Sequence, residues 1–587
     1  MQEQMGKTIY VDLSSESVTL TRTDESLVRR YLGGRGLGVK ILSELTGQDT
    51  DPLSPQNPLI FSVGPLTGLA PMAVGVVLTS KSPLTGTVFS WNAGGNFGSE
   101  MKKAGVDALV LTGKAKSPVY VELKTGTVEI KPAEELWGKN AEECTATLLG
   151  KRSLRGRESL YERGSVACIG RAGEKKVLIS SFVFDSSYTG RGGLGAVAGS
   201  KLLKAVLVKG ENALKPSDPE LFTELEAKAL KLFDSNPVLS KGLGNYGSPG
   251  FVKILDYFSL IPCQNFSKGE QVVTDQLSGE YINSNFALEK ESCPACPLAC
   301  RQRIKETGQK EAGQVVPSYD ALWGFGLNLE NPNFFSVLKA NIICMDYGLD
   351  PISAGSVLGA RAELEARKLQ PQEIESLLLE IGEGGKAGNG ALRYLSTLGR
   401  RELSMDVKGL ELAGFDPREA NGQALAYAVS PHGGDALTAF MVGPEVLGKP
   451  LALDRMNLIG KAGFLQVFEN LSAVLDSLVL CPFSIFALNE EFCSSLLLAA
   501  GGLKISPADL LKVGERIWNL ERIYNLKAGF NMKDDTLPDR LFENNRGKQR
   551  NGISRQEFKI TLLEYYHFRG WDEKGVPFPK KLQELEM

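Results

Sequence analysis

Two hydrophobic rhythms divide the chain. Up to about residue 210, apolar residues come in short runs that stop at glycine, proline or charge, the pattern of strands in a sheet. Lys7–Leu13 and Val18–Thr21 flank the turn Ser14-Ser15-Glu16, and Val119–Leu123 and Val128–Ile130 flank Lys124-Thr125-Gly126-Thr127, so both pairs predict hairpins. Leu59–Val63, Gly75–Thr79, Ala108–Thr112, Val177–Phe182 and Ala205–Val208 are predicted as further short strands, with helices over Ser26–Leu42 and Ala141–Gly150. From about residue 215 the period becomes helical. Asp218-Pro219 opens a helix running through Phe233, the aspartate as N-cap and the proline in the first turn. Asn333–Met345, Ile352–Ala366, Pro371–Ile381 and Pro507–Asn525 read the same way, and a second helical unit is expected from Gly414-Phe415-Asp416-Pro417. The predicted class is α+β: a β-rich N-terminal domain (1–210), then two mainly α-helical domains (211–413 and 414–587) with the functional centre buried between them.

Composition narrows the function. With 42% hydrophobic and 23% charged residues in 587, the chain is neither disordered nor fibrous. Lys+Arg 66 against Asp+Glu 69 leaves no basic field for nucleic acid. The longest apolar run, Leu478–Leu488, contains Pro482 and falls far short of the ~20 residues of a membrane span. The first twenty residues show neither a basic n-region nor an apolar h-region. Nine cysteines, an odd count, argue against a disulfide framework, so a reducing, cytoplasmic setting is expected. Two histidines cannot furnish a multi-histidine metal site. Glycine is in excess: 64 residues, about 11% against an average near 7%.

One cysteine group carries chemistry. Cys293, Cys296 and Cys300 stand as C-x₂-C-x₃-C in a loop with two prolines, Pro294 and Pro297. An iron–sulfur cube takes four thiolates, commonly three from one loop and one from elsewhere. The remaining thiol would come from Cys481, Cys344, Cys493, Cys263, Cys168 or Cys144. Structural zinc is the alternative, although it usually recruits two separated pairs or cysteine with histidine. Asn92–Gly98 (NAGGNFG) and Gly190–Gly195 (GRGGLG) are glycine loops whose bare N–H groups, with one arginine, suit a phosphate-bearing ligand; tight turns in a β domain are the plain alternative. Gly33–Gly38 (GGRGLG) mimics a dinucleotide fingerprint without the expected βαβ setting, and no P-loop occurs.

Together these blocks resemble the tungsten-containing aldehyde ferredoxin oxidoreductase family. The resemblance runs through Gly33–Leu42, Gly64–Gly68 (GPLTG), Lys81–Gly86 (KSPLTG), Gly190–Lys201, the cysteine loop, Glu515–Asn525 (ERIWNLERIYN), Lys533–Pro538 (KDDTLP) and Arg569–Glu573 (RGWDE). It implies a bis-pterin cofactor carrying tungsten or molybdenum, a magnesium ion bridging the pterin phosphates, and a [4Fe–4S] cluster. It also implies oxidation of an aldehyde to a carboxylic acid, or a related reaction in reverse, with electrons passing to ferredoxin or a dedicated iron–sulfur subunit, and a possible homo-oligomer. By position, Cys293, Cys296, Cys300 and Cys481 match the cluster ligands, while Asp476, Leu480 and Asp350 match pterin contacts. Asn92 resembles the residue whose carbonyl helps hold the magnesium, and Arg191 and Gly192 fall at the phosphate end. Asp320 matches an acid near the metal that is often glutamate, and is the acid/base candidate.

Several positions depart from the family pattern. Met345 stands for the opening acid of one pterin motif, Val479 for the glycine of the motif ending in Cys481, and Gly75 for an arginine. Ala436 takes the place of an active-site histidine, with His432 four positions earlier. These departures leave open a non-catalytic member of the family, acting as an iron–sulfur electron relay or assembly subunit.

Overall fold

The computed structural model describes residues 6–151, 164–185, 187–267, 274–305, 312–543 and 552–587. Twelve strands in the first part form two six-stranded sheets. The first contains β1 (Lys7–Asp12), β2 (Ser17–Arg22), β3 (Leu59–Ser62), β4 (Val76–Lys81), β5 (Val88–Ala93) and β6 (Val106–Thr112), in the order β2-β1-β6-β3-β4-β5. The second contains β7 (Val119–Lys124), β8 (Thr127–Pro132), β9 (Ser165–Ile169), β10 (Phe182–Phe184), β11 (Ser187–Thr189) and β12 (Leu203–Lys209), in the order β11-β10-β9-β12-β7-β8. Each sheet has one parallel pair, β1 with β6 and β12 with β7; the other pairings are antiparallel. Phe61 of β3 meets Phe182 of β10 edge-on at 5.7 Å and Phe97 at 5.5 Å, joining the two sheets in one core.

Both predicted hairpins form, with Lys124 opposite Thr127. Asp218 caps the Pro219–Ser235 helix by accepting the Leu221 N–H at 3.1 Å. The predicted Ser26–Leu42 helix is two helices, Glu25–Tyr31 and Gly34–Leu45, because Leu32 adopts φ 61° and turns the chain. Val177–Phe182 is mostly turn; its strand begins only at Phe182. β5 was not among the predicted strands, and its last two residues open the predicted Asn92–Gly98 glycine loop.

The remainder is mainly helical, as expected. The Lys461–Leu478 and Pro507–Lys527 helices pack on each other and on Gly34–Leu45, which in turn lies against β4 and β5. Among the described residues, no helix is long and apolar enough to cross a membrane. Cys144, Cys168, Cys263, Cys344, Cys493 and Trp518 are core side chains, and His567 is exposed.

Candidate cofactor and cluster site

The cysteine loop passes twice through left-handed backbone. Ala295 (φ 54°) and Ala299 (φ 46°) both occupy left-handed backbone, and the Cys296 N–H donates to the Cys293 carbonyl at 3.1 Å. Two non-glycine residues strained in one short loop mark a geometry imposed for its thiols. The Cys296 sulfur accepts N–H groups of Leu298 and Ala299, and the Cys481 sulfur that of Phe483.

Cys481 arrives from the far end of the Lys461–Leu478 helix. That helix ends on Val479 in left-handed backbone (φ 59°, ψ 33°), and the reversal aims Leu480 and Cys481 back toward the β domain. The Cys481 N–H donates to the Met72 carbonyl at 2.9 Å. All four sulfurs of Cys293, Cys296, Cys300 and Cys481 gather within electrostatic reach. Burial, then the neighbouring thiols, pushes Cys300 up to about 12 and Cys481 well above its ordinary value. Among the described residues, no three Cys, His, Asp or Glu side chains close around a single-ion point. Four thiols are the donor count of an iron–sulfur cube.

Beside the thiols the glycine loops fall into two kinds. At Gly94, Gly95 and Gly190 an added Cβ would meet nothing nearer than Cys293 Sγ at 3.6 Å, Asp185 Oδ2 at 4.0 Å and Trp91 Cδ1 at 3.9 Å respectively. These are ordinary van der Waals separations, so the three glycines are loosely packed. Gly192 is packed instead, with φ 68° and the Phe89 ring 2.8 Å from its Cβ position. The dinucleotide-like glycines are also filled by protein: a Cβ on Gly34 would sit 2.3 Å from the Asp476 carbonyl oxygen, and one on Gly33 2.4 Å from that of Val63. That motif lets a helix approach backbone closely and binds no nucleotide. At Gly75, expected from the resemblance to replace an arginine, a Cβ would lie 2.2 Å from the Ala93 carbonyl oxygen, so no side chain fits.

The predicted acids converge on the same region. Asp476 accepts from Asn92 Nδ2 at 3.2 Å and Arg35 Nη1 at 3.3 Å, and Asn92 also donates to the Leu480 carbonyl at 2.9 Å. Burial raises the Asp476 carboxyl, and Arg35 and the Asn92 bond oppose that rise. Asp350 caps the Pro351–Leu364 helix and receives Arg191 Nε at 2.9 Å and Ser353 Oγ at 2.5 Å. Arg191 further donates to the carbonyls of Gly434 (3.2 Å) and Glu411 (2.8 Å), so Nε, Nη1 and Nη2 all have protein acceptors. Asp320, on the short Tyr319–Leu322 helix, is partly exposed, and its carboxylate makes no hydrogen bond among the described residues. Burial, then repulsion from Asp350 and Asp435, lifts it to about 6 against an ordinary 3.8, with Arg191 opposing. An apolar pocket lined by Leu437, Phe440, Phe483 and Phe486 opens beside Asp476.

Sequence reasoning missed the charged seam behind these groups. Arg35 forms a bidentate pair with Glu521 at 2.8 and 2.7 Å, both side chains buried, and its guanidinium lies 5.1 Å from the Trp518 ring centre. One turn on, Asn525 accepts the Val88 N–H at 3.0 Å and donates to the Pro431 carbonyl at 2.8 Å. The i, i+4 spacing of Glu521 and Asn525 in ERIWNLERIYN was the available signal. Asp535 is fully buried and held by Lys408, Arg522 and the Tyr566 hydroxyl.

The arrangement fits the implied groups. Four thiols form the donor set for a cluster, three nearby glycines are loosely packed, and among the described residues the buried Trp91 Nε1, beside Gly190, has no hydrogen-bond partner.

Residues 8–210 match the N-terminal domain of aldehyde ferredoxin oxidoreductase, and residues 224–587 match its domains 2 and 3. The chain belongs to this family of oxidoreductases. It is 37% identical over 610 aligned positions to the tungsten-containing aldehyde ferredoxin oxidoreductase of Pyrococcus furiosus, covering 100% of this chain and 99% of that protein. It is 36% identical to the enzyme of the same description from Thermococcus kodakarensis, again over 100% and 99%. A more distant relative, the WOR-like subunit of an aliphatic sulfonate oxidoreductase from Pyrococcus furiosus, shares 29% identity over 99% of this chain and 96% of that protein. The fold superposes on the active-site complex BamBC of benzoyl coenzyme A reductase with TM-score 0.85 and 22% identity, covering 99% of this chain and 96% of that one.

Proposed function

We propose that the chain is a tungsten (or molybdenum) bis-pterin oxidoreductase that converts an aldehyde to a carboxylic acid, or runs the related reduction, and delivers electrons through a [4Fe–4S] cluster to ferredoxin or a dedicated subunit. The observation that carries this reading is the gathering of four thiols, Cys293 against the loosely packed Gly94, in a chain whose Asp320 carboxylate makes no hydrogen bond among the described residues. Cys293, Cys296, Cys300 and Cys481 would hold the cluster. Asp476, Leu480 and Asp350 would contact the pterins, and Asn92 would stand at the bridging magnesium. When bound, the metal–pterin group supplies two-electron chemistry at the carbonyl carbon, and the cluster supplies one-electron transfer.

The chain's own residues do the rest. Arg191 fixes Asp350, and Gly192 lets its loop lie flat on Phe89. Asn92 ties the Asp476 carboxylate to the Leu480 carbonyl, so the acid and the cysteine segment move as one piece. The apolar wall of Phe440, Phe483 and Phe486 excludes water from the pocket and favours an uncharged substrate. Asp320, near 6, is present in both protonation states around neutral pH and can take a proton from a hydrated carbonyl at its carboxylate oxygen. The test is aldehyde-dependent reduction of a viologen dye by anaerobically purified protein, wild type against Asp320→Asn. Activity that falls at least ~100-fold in the variant supports the assignment; equal activity removes Asp320 from the chemistry, and none in metal-loaded wild type removes the reaction.

A further inference from the structure

His432 is one of two histidines in the chain and is buried in the charged seam. Its ring nitrogens meet different demands. Nδ1 lies 3.2 Å from Asp435 Oδ2. Nε2 accepts the Ser90 backbone N–H at 3.3 Å, and Glu521 Oε1 stands 3.8 Å from the same nitrogen. A neutral ring with its proton on Nδ1 satisfies Asp435 and Ser90 together. A charged ring cannot: Nε2 then bears a proton, loses the Ser90 N–H, and finds its acceptor in Glu521. Ser90 lies on β5, two residues before Asn92, so the ring's charge has a mechanical address at the strand that holds Asp476.

The groups facing the ring come from every side. Asp435 is on its own loop, Glu521 on the Pro507–Lys527 helix, Asp476 on Lys461–Leu478 and Arg35 on Gly34–Leu45, while β5 offers only the Phe89 ring, 4.8 Å away, and the Ser90 amide. Burial and Arg35 disfavour the charged form; the neighbouring carboxylates of Asp435 and Glu521 outweigh them, and the ring is raised above 6.5. The other oxygen of Asp435 accepts the Leu437 N–H at 2.9 Å, and Leu437 lines the apolar pocket. Asp435 also lies within electrostatic reach of Asp320.

We propose that His432 is the proton-holding positioning residue of this site, taking up one proton released by carbonyl oxidation and, on charging, turning Nε2–H from the Ser90 amide to Glu521. This rests on the aldehyde reading. Aldehyde and water give acid, two electrons and two protons: the carbonyl C–H bond and one water O–H bond break, a C–O bond forms, and the electrons leave singly to a ferredoxin-type acceptor. Asp320 takes one proton and His432 the other.

Two measurements test it. With ¹⁵N-histidine labelling of the purified protein, the two imidazoles separate as one exposed and one buried. The buried ring is expected as the Nδ1–H tautomer at high pH, charging with a midpoint above 6.5; a ring neutral from pH 9 to pH 5.5, or an Nε2–H tautomer, overturns the proposal. The second is the pH profile of viologen reduction, wild type against His432→Gln, whose amide oxygen still accepts from Ser90 but never charges. Loss in the variant of the limb with the midpoint read by labelling is the expected result; an unchanged profile overturns the proposal. If the ring titrates while metal-loaded wild type oxidises no aldehyde, the aldehyde reading fails and takes the coupling with it. If aldehyde is oxidised and the ring stays neutral, only the His432 assignment fails.

Discussion

Asp320→Asn is expected to make the protein more stable at neutral pH while removing activity. The carboxyl rises from 3.8 to about 6 because folding strips water from it and sets it near Asp350 and Asp435. At 1.36 kcal/mol per pH unit, that interval corresponds to about 3 kcal/mol of folding energy spent on ionised Asp320. The sign follows from the direction. Below pH 3.8 the acid is neutral folded or unfolded and costs nothing; between 3.8 and about 6 the unfolded chain sheds the proton first; above about 6 the full cost stands. Isosteric asparagine never ionises, so its advantage should be close to zero at pH 3.5 and grow to at most about 3 kcal/mol by pH 8. Urea unfolding of both proteins, followed by circular dichroism at four pH values between these limits, reads the difference directly. An advantage that does not change with pH, or a wild type more stable at pH 8, would refute a desolvated and repelled Asp320.

Three further outcomes are expected. Arg35→Met strands the buried Glu521 carboxylate and weakens the hold on Asp476, at a cost of about 3–5 kcal/mol in urea unfolding, and adding Glu521→Leu should restore most of it. Cys481→Ser should purify with less iron per chain and a changed iron–sulfur EPR signal, whereas Cys493→Ser, in the core, should keep both. Val479→Gly should change stability by no more than about 1 kcal/mol, since relief of ~1–2 kcal/mol of left-handed strain at a β-branched residue offsets the lost burial of a small apolar side chain; a loss of 3 kcal/mol or more in urea unfolding would show that the backbone there carries no strain.

The parts of the fold legible in the sequence are those set locally. The Lys124–Thr127 hairpin and the Asp218 cap each depend on a few adjacent residues, and both form as read. Leu32 defeated the helix over Ser26–Leu42 because nothing local announces a leucine at φ 61°. β5 was hidden because its last residues, Asn92-Ala93, run straight into Gly94-Gly95, and the glycines dominate the local pattern. In the site, three cysteines declared themselves by spacing, while Cys481 had no neighbour to announce it and came only from resemblance. The spacing of Glu521 and Asn525 marked one face of their helix, but their partners were illegible: Arg35 and Glu521 are 486 positions apart, and a lone arginine and a lone glutamate carry no mark of pairing. Only the fold, by burying both ends, makes them obligatory partners.

The central claim is that one chain binds both a metal–pterin group and an iron–sulfur cluster. Elemental mass spectrometry on anaerobically purified protein tests it most directly. The account predicts roughly one tungsten or molybdenum and about four iron per chain. Iron with neither heavy metal would leave an electron relay in place of an enzyme, and zinc without iron would contradict the account outright.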